Sequence, residues 1–240
     1  MEIARNLLAS QPFWCKSRRG ELENAMSLRL SLVLGSTRTA GPPEPANVGR
    51  RVGAFIHQVL KARGHEVDVV DPLVDELPLL NRPHFSYGSA PEVMEKLHQC
   101  FKKADGYVMV TPEYNHSASP ALMNTLNHFG ASSFAFKPSG IVSYSAGQWG
   151  GARAAHALRP FLSELGCLPV SAMVHVPKAH EVFDQDGTPN EAAARWEAYA
   201  SRMISQVEWW ALAARNHRQV VDPFQKSPPF QRTPQQRNAA

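Results

Sequence analysis

The sequence predicts an α/β protein: a five-stranded, doubly wound parallel sheet of strand order 2-1-3-4-5, with helices on both faces in three layers. Three observations lead there. Apolar runs of strand length alternate five times with amphipathic helical segments between residues 28 and 214, and parallel strands need helical crossovers of this kind. A chain of 240 residues with 43% hydrophobic and 19% charged residues supplies one sizeable core, enough for a single domain with tails. Polar loops bearing Gly or Pro follow the first, third and fourth strands directly, where such sheets place their ligands.

The elements follow in order. Residues 28–34 form an apolar run that ends at Gly35, the first strand. A proline-rich loop (Gly41, Pro42, Pro43, Glu44, Pro45) precedes a helix with Val48, Val52, Phe55, Ile56 and Val59 on one face. Asn47 is placed to cap that helix. Residues 66–70 are the second strand, and 71–88 a loop rich in Pro and aromatics. A helix over 90–103 leads to the third strand, 107–110. After Pro120 a helix carries Leu122, Met123 and Leu126. The fourth strand is 140–144, followed by a helix over 150–165 and a fifth strand within 168–176. A last helix, about 190–214, sets Trp196, Tyr199, Met203, Val207 and Trp210 on one stripe.

Composition excludes several classes. No stretch of about 18 apolar residues exists, which argues against a helical membrane span. Cys15, Cys100 and Cys167 lie far apart without a CxxC pair, so neither a disulfide framework nor a zinc ribbon is expected. Free thiols suit a reducing compartment, and a cytoplasmic location is the expectation. The net charge of +4 resides in the ends: residues 1–25 carry +1 and residues 216–240 carry +3, leaving 26–215 neutral. Nucleic-acid domains concentrate positive charge on the folded body, so nucleic acid is not the expected partner. Residues 1–25 read as an N-terminal extension, with Met26 a candidate alternative start, and 26–215 as the folded domain. Residues 216–240, rich in Pro and Gln and basic, are expected to be a disordered or loosely docked tail.

Chemistry is expected in three loops. Gly35-Ser36-Thr37-Arg38-Thr39 follows the first strand. A loop entering a helix offers backbone N–H groups and the positive end of the dipole to an anion. Ser36, Thr37 and Thr39 add hydroxyls, and Arg38 adds a charge suited to phosphate. Pro42 stands where a Walker lysine would be, and no GxGxxG is present. Thr111-Pro112-Glu113-Tyr114-Asn115-His116-Ser117 follows the third strand. Its proline stiffens it, Tyr114 offers an aromatic face and Asn115 an amide. Glu113 is a candidate general base or half of an ion pair across a subunit contact. His116 is more simply a loop histidine with a backbone partner. Ser143-Tyr144-Ser145-Ala146-Gly147-Gln148-Trp149-Gly150-Gly151 follows the fourth strand. Its glycines permit either close approach to a ligand or tight helix–sheet packing, and the next helix begins here. The spacing does not match the GxSxG elbow of serine hydrolases.

Together, Gly35-Ser36-Thr37-Arg38, the Pro112-to-Ser117 loop with a downstream Asn124, and the Ser143-to-Gly151 loop resemble the NADPH-dependent FMN reductase family of quinone, azo-dye and chromate reductases. The resemblance covers roughly residues 28–210. It implies a flavodoxin-like fold, an FMN cofactor and NADPH (or NADH) as electron donor. It implies that Ser36 and Arg38, with Thr37 between them and Asn47 near the helix start, hold the FMN phosphate. Pro112, Glu113, Tyr114 and Asn115 would line the isoalloxazine. Ser145, Ala146, Gly147 and Gly150 would face its pyrimidine edge. Tyr114, Trp149 and loop 81–88, with His84, Phe85 and Tyr87, are expected to wall the space for nicotinamide or quinone. The proline-bearing insertion after Arg38 departs from the family pattern and leaves open which residue completes the phosphate cup. No side-chain acid, base or metal ligand is expected, because the flavin carries the chemistry. The alternative is a flavin-binding electron carrier or regulatory module without turnover. Partners are small-molecule electron acceptors and, from the aromatic stripe of the last helix, further copies of the chain as a homodimer or homotetramer.

Overall fold

A computed structural model describes residues 26–39 and 47–225. The expectations for 1–25, most of the proline-rich insertion and 226–240 lie outside these residues. The elements are β1 (Arg29–Leu34), α1 (Val48–Ala62), β2 (Glu66–Val70), α2 (Glu92–Lys103), β3 (Gly106–Tyr114), β4 (Ser117–Ala118), α3 (Pro120–Asn127), α4 (Ala131–Phe134), β5 (Pro138–Tyr144), α5 (Ala152–Glu164), β6 (Leu168–Val176), α6 (Ala179–Val182) and α7 (Ala193–Arg218).

The main sheet runs β2-β1-β3-β5-β6, all parallel. Setting aside the two-residue β4, this is the 2-1-3-4-5 order of a flavodoxin-like fold. Strand alternation sorts the core into two layers. Leu30, Leu32, Leu34, Val108, Val110 and Val142 face α1 and α7. Val33, Tyr107, Met109 and Ile141 face α2, α3 and α5. Both faces are therefore apolar, which is why the central strands read as continuous hydrophobic runs.

Three local differences bear on the site. The loop expected after the third strand is an extension of β3, which folds back through Asn115 and His116 onto β4, pairing Glu113 with Ala118 and Tyr114 with Ser117. Asn115 (φ 50) and His116 (φ 63) both take positive φ, as a two-residue primed hairpin turn requires. α7 continues to Arg218, and residues 219–225 turn so that Phe224 packs edge-on against Phe136, 5.7 Å between centroids. Its buried stripe is Ala200, Met203, Ile204, Val207 and Ala211, whereas Trp210 is 47% exposed.

Candidate active site

The carboxyl ends of β1, β3 and β5 converge on a cavity of about 500 Å³. At one end β1 delivers Ser36, 4% exposed, whose Oγ accepts the Arg38 N–H at 3.3 Å. The Arg38 guanidinium lies 4.9 Å from the Tyr114 ring centroid. Val48, the first residue of α1, lines the same end. Asn47 caps α1 as its sequence position suggested: its Oδ1 accepts the Arg50 N–H at 3.2 Å. That bond leaves Nδ2 buried with no partner among the described residues. An unsatisfied buried donor is costly unless something outside the chain completes it.

Pro112, Glu113 and Tyr114 form a second wall. Thr111, fully buried, accepts the Ser119 N–H at 3.2 Å, and Ser119 in turn caps α3. These bonds fix where β3 turns. Glu113 is not free to act as a base. Its carboxylate takes the Arg153 Nε–H at 2.7 Å and the Arg153 backbone N–H at 3.1 Å, with a further bond from the Ala154 N–H. Burial alone would raise this carboxyl, but the Arg153 guanidinium and the two N–H groups prevail and hold it below its ordinary value. The ion pair lies within one chain and tethers the end of β3 to the start of α5.

Tyr144, Ser145 and Ala146 line the cavity from β5, joined by Ala179 and His180 of α6. The loops after β5 and β6 are clasped by two backbone bonds, Lys178 N–H to Gly147 O (3.1 Å) and Ala179 N–H to Ser145 O (3.0 Å). Tyr144 is only 6% exposed, and burial pushes its phenol up although the neighbouring Ser36 opposes it.

Of the residues picked out in the sequence, Ser36, Arg38, Pro112, Glu113, Tyr114, Ser145 and Ala146 meet at this cavity. Thr37 is exposed beside it. Asn115 occupies the exposed hairpin tip, and Gly147 serves the clasp. Gly150 (φ +59) is pressed against β6: a Cβ there would fall 2.9 Å from Pro177 N. Gly151 (φ +77) would meet the Tyr144 backbone at the same distance. These two glycines therefore serve helix–sheet packing. Loop 81–88 does not wall the cavity. His84 pairs with Glu95 at 2.9 Å, Phe85 rests on Gly130, and Tyr87 lies under Arg82. Trp149 is 62% exposed and does not line it either. Asn124 pins the segment before that loop, bonding Pro78 O and Leu80 N–H. Val48, Tyr144, Ala179 and His180 were not foreseen. Tyr144 was visible by strand parity with Val142, while α6 carried no such signal.

Residues 28–181 match the family model described as NADPH-dependent FMN reductase. The chain belongs to the NADPH-dependent FMN reductase family. Among its relatives, an NAD(P)H-dependent FMN reductase of Pseudomonas aeruginosa is 31% identical over 156 residues, 63% of this chain and 82% of that protein. An NADPH azoreductase of a Bacillus strain is 31% identical over 128 residues, 53% of this chain and 69% of that protein. A solved flavoenzyme NAD(P)H:acceptor oxidoreductase of Paracoccus denitrificans superposes with a TM-score of 0.63 at 20% identity, covering 76% of this chain and 98% of that one. The cavity of this FMN reductase fits the group the family name implies. Its volume lies in the cofactor range, it is flanked by a buried amide donor without a partner, and its cationic end adjoins a helix N-terminus.

Proposed function

We propose that this chain is an NAD(P)H-dependent FMN oxidoreductase that reduces quinones, azo compounds or similar small acceptors in a ping-pong cycle. The observation that carries this reading is the cavity itself. Its Ser36–Arg38 end suits a phosphate, and its Pro112–Tyr114 wall suits a flat ring. When bound, the flavin supplies the redox chemistry, accepting two electrons from a nicotinamide and passing them to the acceptor. The protein binds and orients. Ser36, Arg38 and Asn47 hold the anionic tail. Pro112 and Tyr114 give the ring a rigid, partly aromatic face. Glu113 holds that wall in register through Arg153 rather than moving a proton. The N–H groups of Ala146 and Gly147 donate to no acceptor among the described residues, and we assign them the stabilising of negative charge on the ring's edge.

The test is anaerobic. The protein reconstituted with FMN should lose its yellow colour with NADPH or NADH and regain it with a quinone. A yellow protein that neither donor bleaches would instead be a carrier or regulator. A protein that takes up no FMN would overturn the reading.

We also propose self-association. Trp209 is 71% exposed and Trp210 47%, on the outer side of α7, and an aromatic pair of this kind suits an interface with a second copy. Light scattering should give at least twice 26.5 kDa. No helix among the described residues is long and apolar enough to cross a membrane, and the free Cys100 and Cys167 suit the reducing cytoplasm.

A further inference from the structure

Tyr144 ends β5 on the sheet face that carries α1. Its hydroxyl is seated against the first turn of that helix: a Cβ on Gly49 would fall 2.4 Å from Tyr144 Oη and 3.1 Å from Ser36 Cβ. Only a glycine leaves room for the phenol at this place. Ser36 lies beside the phenol, on the same side of Gly49, and its Oγ already accepts the Arg38 N–H. Two residues before Gly49, the Asn47 amide is 7% exposed and its Nδ2 has no partner among the described residues. The start of α1 thus gathers a phenol, a serine hydroxyl, an unused amide donor and a guanidinium. The first-turn N–H groups of a helix add to them. Such a density of donors with so few acceptors is the signature of an anion seat.

We propose that Tyr144 closes the phosphate seat at the start of α1, its hydroxyl reaching a terminal phosphate oxygen of the cofactor while Asn47 Nδ2 takes another. This rests on the FMN reading above. Tyr144 is then a binding residue whose hydroxyl, beside Ser36, donates to the anion. Gly49 is its positioning residue, since any side chain there displaces the phenol.

The experiment is a titration of apo-protein with FMN and with riboflavin, which lacks the phosphate, followed by flavin fluorescence. Tyr144→Phe removes one hydrogen bond to a charged group and should weaken FMN about tenfold while leaving riboflavin unchanged. Gly49→Ala, which crowds the phenol foremost and Ser36 less, should weaken FMN comparably in the native background and less in Tyr144→Phe, where the nearest atom it meets has gone. Equal losses for both flavins, or no loss for FMN, would overturn the assignment. Should Tyr144→Phe not fold, Gly49→Ala decides alone by the same contrast. If the unaltered protein does not prefer FMN to riboflavin, the FMN reading falls with this one. If it does and the variants match it, only Tyr144 is acquitted of the role.

Discussion

At the carboxyl ends of the strands lies a cavity of about 500 Å³, and at the opposite end of the sheet, where β5 and β6 begin, lies one of about 640 Å³. The second is the larger, with Pro138, Leu168 and Trp210 among its walls. It also has a buried cation, yet that cation and the arginine beside it are already paired. Lys137 Nζ donates to Phe101 O (2.8 Å), Lys102 O (2.8 Å) and Ser133 O (3.3 Å). Arg218 donates to Phe136 O at 3.1 Å and reaches Asp105 at 3.5 Å. At the carboxyl end the balance is reversed. Asn47 Nδ2 has no acceptor among the described residues, and Arg38 faces an aromatic ring. The difference teaches that unused bonding capacity, rather than volume, marks where a ligand belongs.

The sharpest way to break this contrast is to remove a cation from each end. Arg38→Ala should weaken FMN binding by about 10- to 100-fold, because a charge-assisted contact to a dianion is lost. Riboflavin should be nearly unaffected, and fluorescence titration reads both. Lys137→Met should act oppositely. Burial lowers the Lys137 amine to about 8, so the group is held at a desolvation cost, but its three carbonyl acceptors would be left short of a donor. Phe101 O and Ser133 O still share the one Tyr107 O–H, which limits the loss to about 2 kcal/mol. Urea unfolding should show that loss with FMN affinity unchanged. If Lys137→Met weakened FMN as Arg38→Ala does, the assignment of roles to the two ends would be wrong.

A pH profile sharpens the same point at the structural end. Glu208 on α7 binds Arg63 through both carboxylate oxygens and His65 at 2.7 Å, joining α7 to the end of α1. Burial alone would raise this carboxyl, but the bonds from Arg63 and His65 prevail and hold it at about 2. A carboxyl depressed in the folded state stabilises the fold above its ordinary pKa. That contribution fades as pH falls from about 4 towards 2. Partial exposure of Arg63 (31%) trims it to about 1–2 kcal/mol. Glu208→Gln should therefore lower stability near neutral pH by that amount and flatten the acid limb, as urea midpoints across the range would show.

The sequence was most legible where the signal is local. Apolar runs and their alternation with helices carried the strand order, and Gly35-Ser36-Thr37-Arg38 and Pro112-Glu113-Tyr114 pointed to the cavity without any contact information. Pairings across distance were not legible. Glu113 and Arg153 are forty residues apart and meet because β3 and β5 are neighbours. His180 reaches the cavity through backbone bonds between two loops, which leave no side-chain pattern. The Asn115-His116 turn lacks the glycine that usually announces a primed hairpin. On α7 the expected stripe, spaced near 3.5 residues, slips out of phase with a straight helix of about 3.6 per turn. Hence Ala211 faces the core and Trp210 does not.

That slip sets up the smallest expected effect. Trp210 lines the larger cavity but is 47% exposed, and Trp209 beside it is 71% exposed. Neither is in the buried stripe of α7, so Trp209→Ala and Trp210→Ala should each change the stability of the isolated chain by only about 0.5 kcal/mol. FMN affinity should not move. What should change is mass: light scattering should shift from a multiple of 26.5 kDa towards the single chain. A loss of flavin affinity in Trp210→Ala would mean that the larger cavity takes part in the cofactor's binding after all. A change in mass alone would show that its apolar wall is spent on a second copy of the chain, which is the use left to a surface whose cations are already paired.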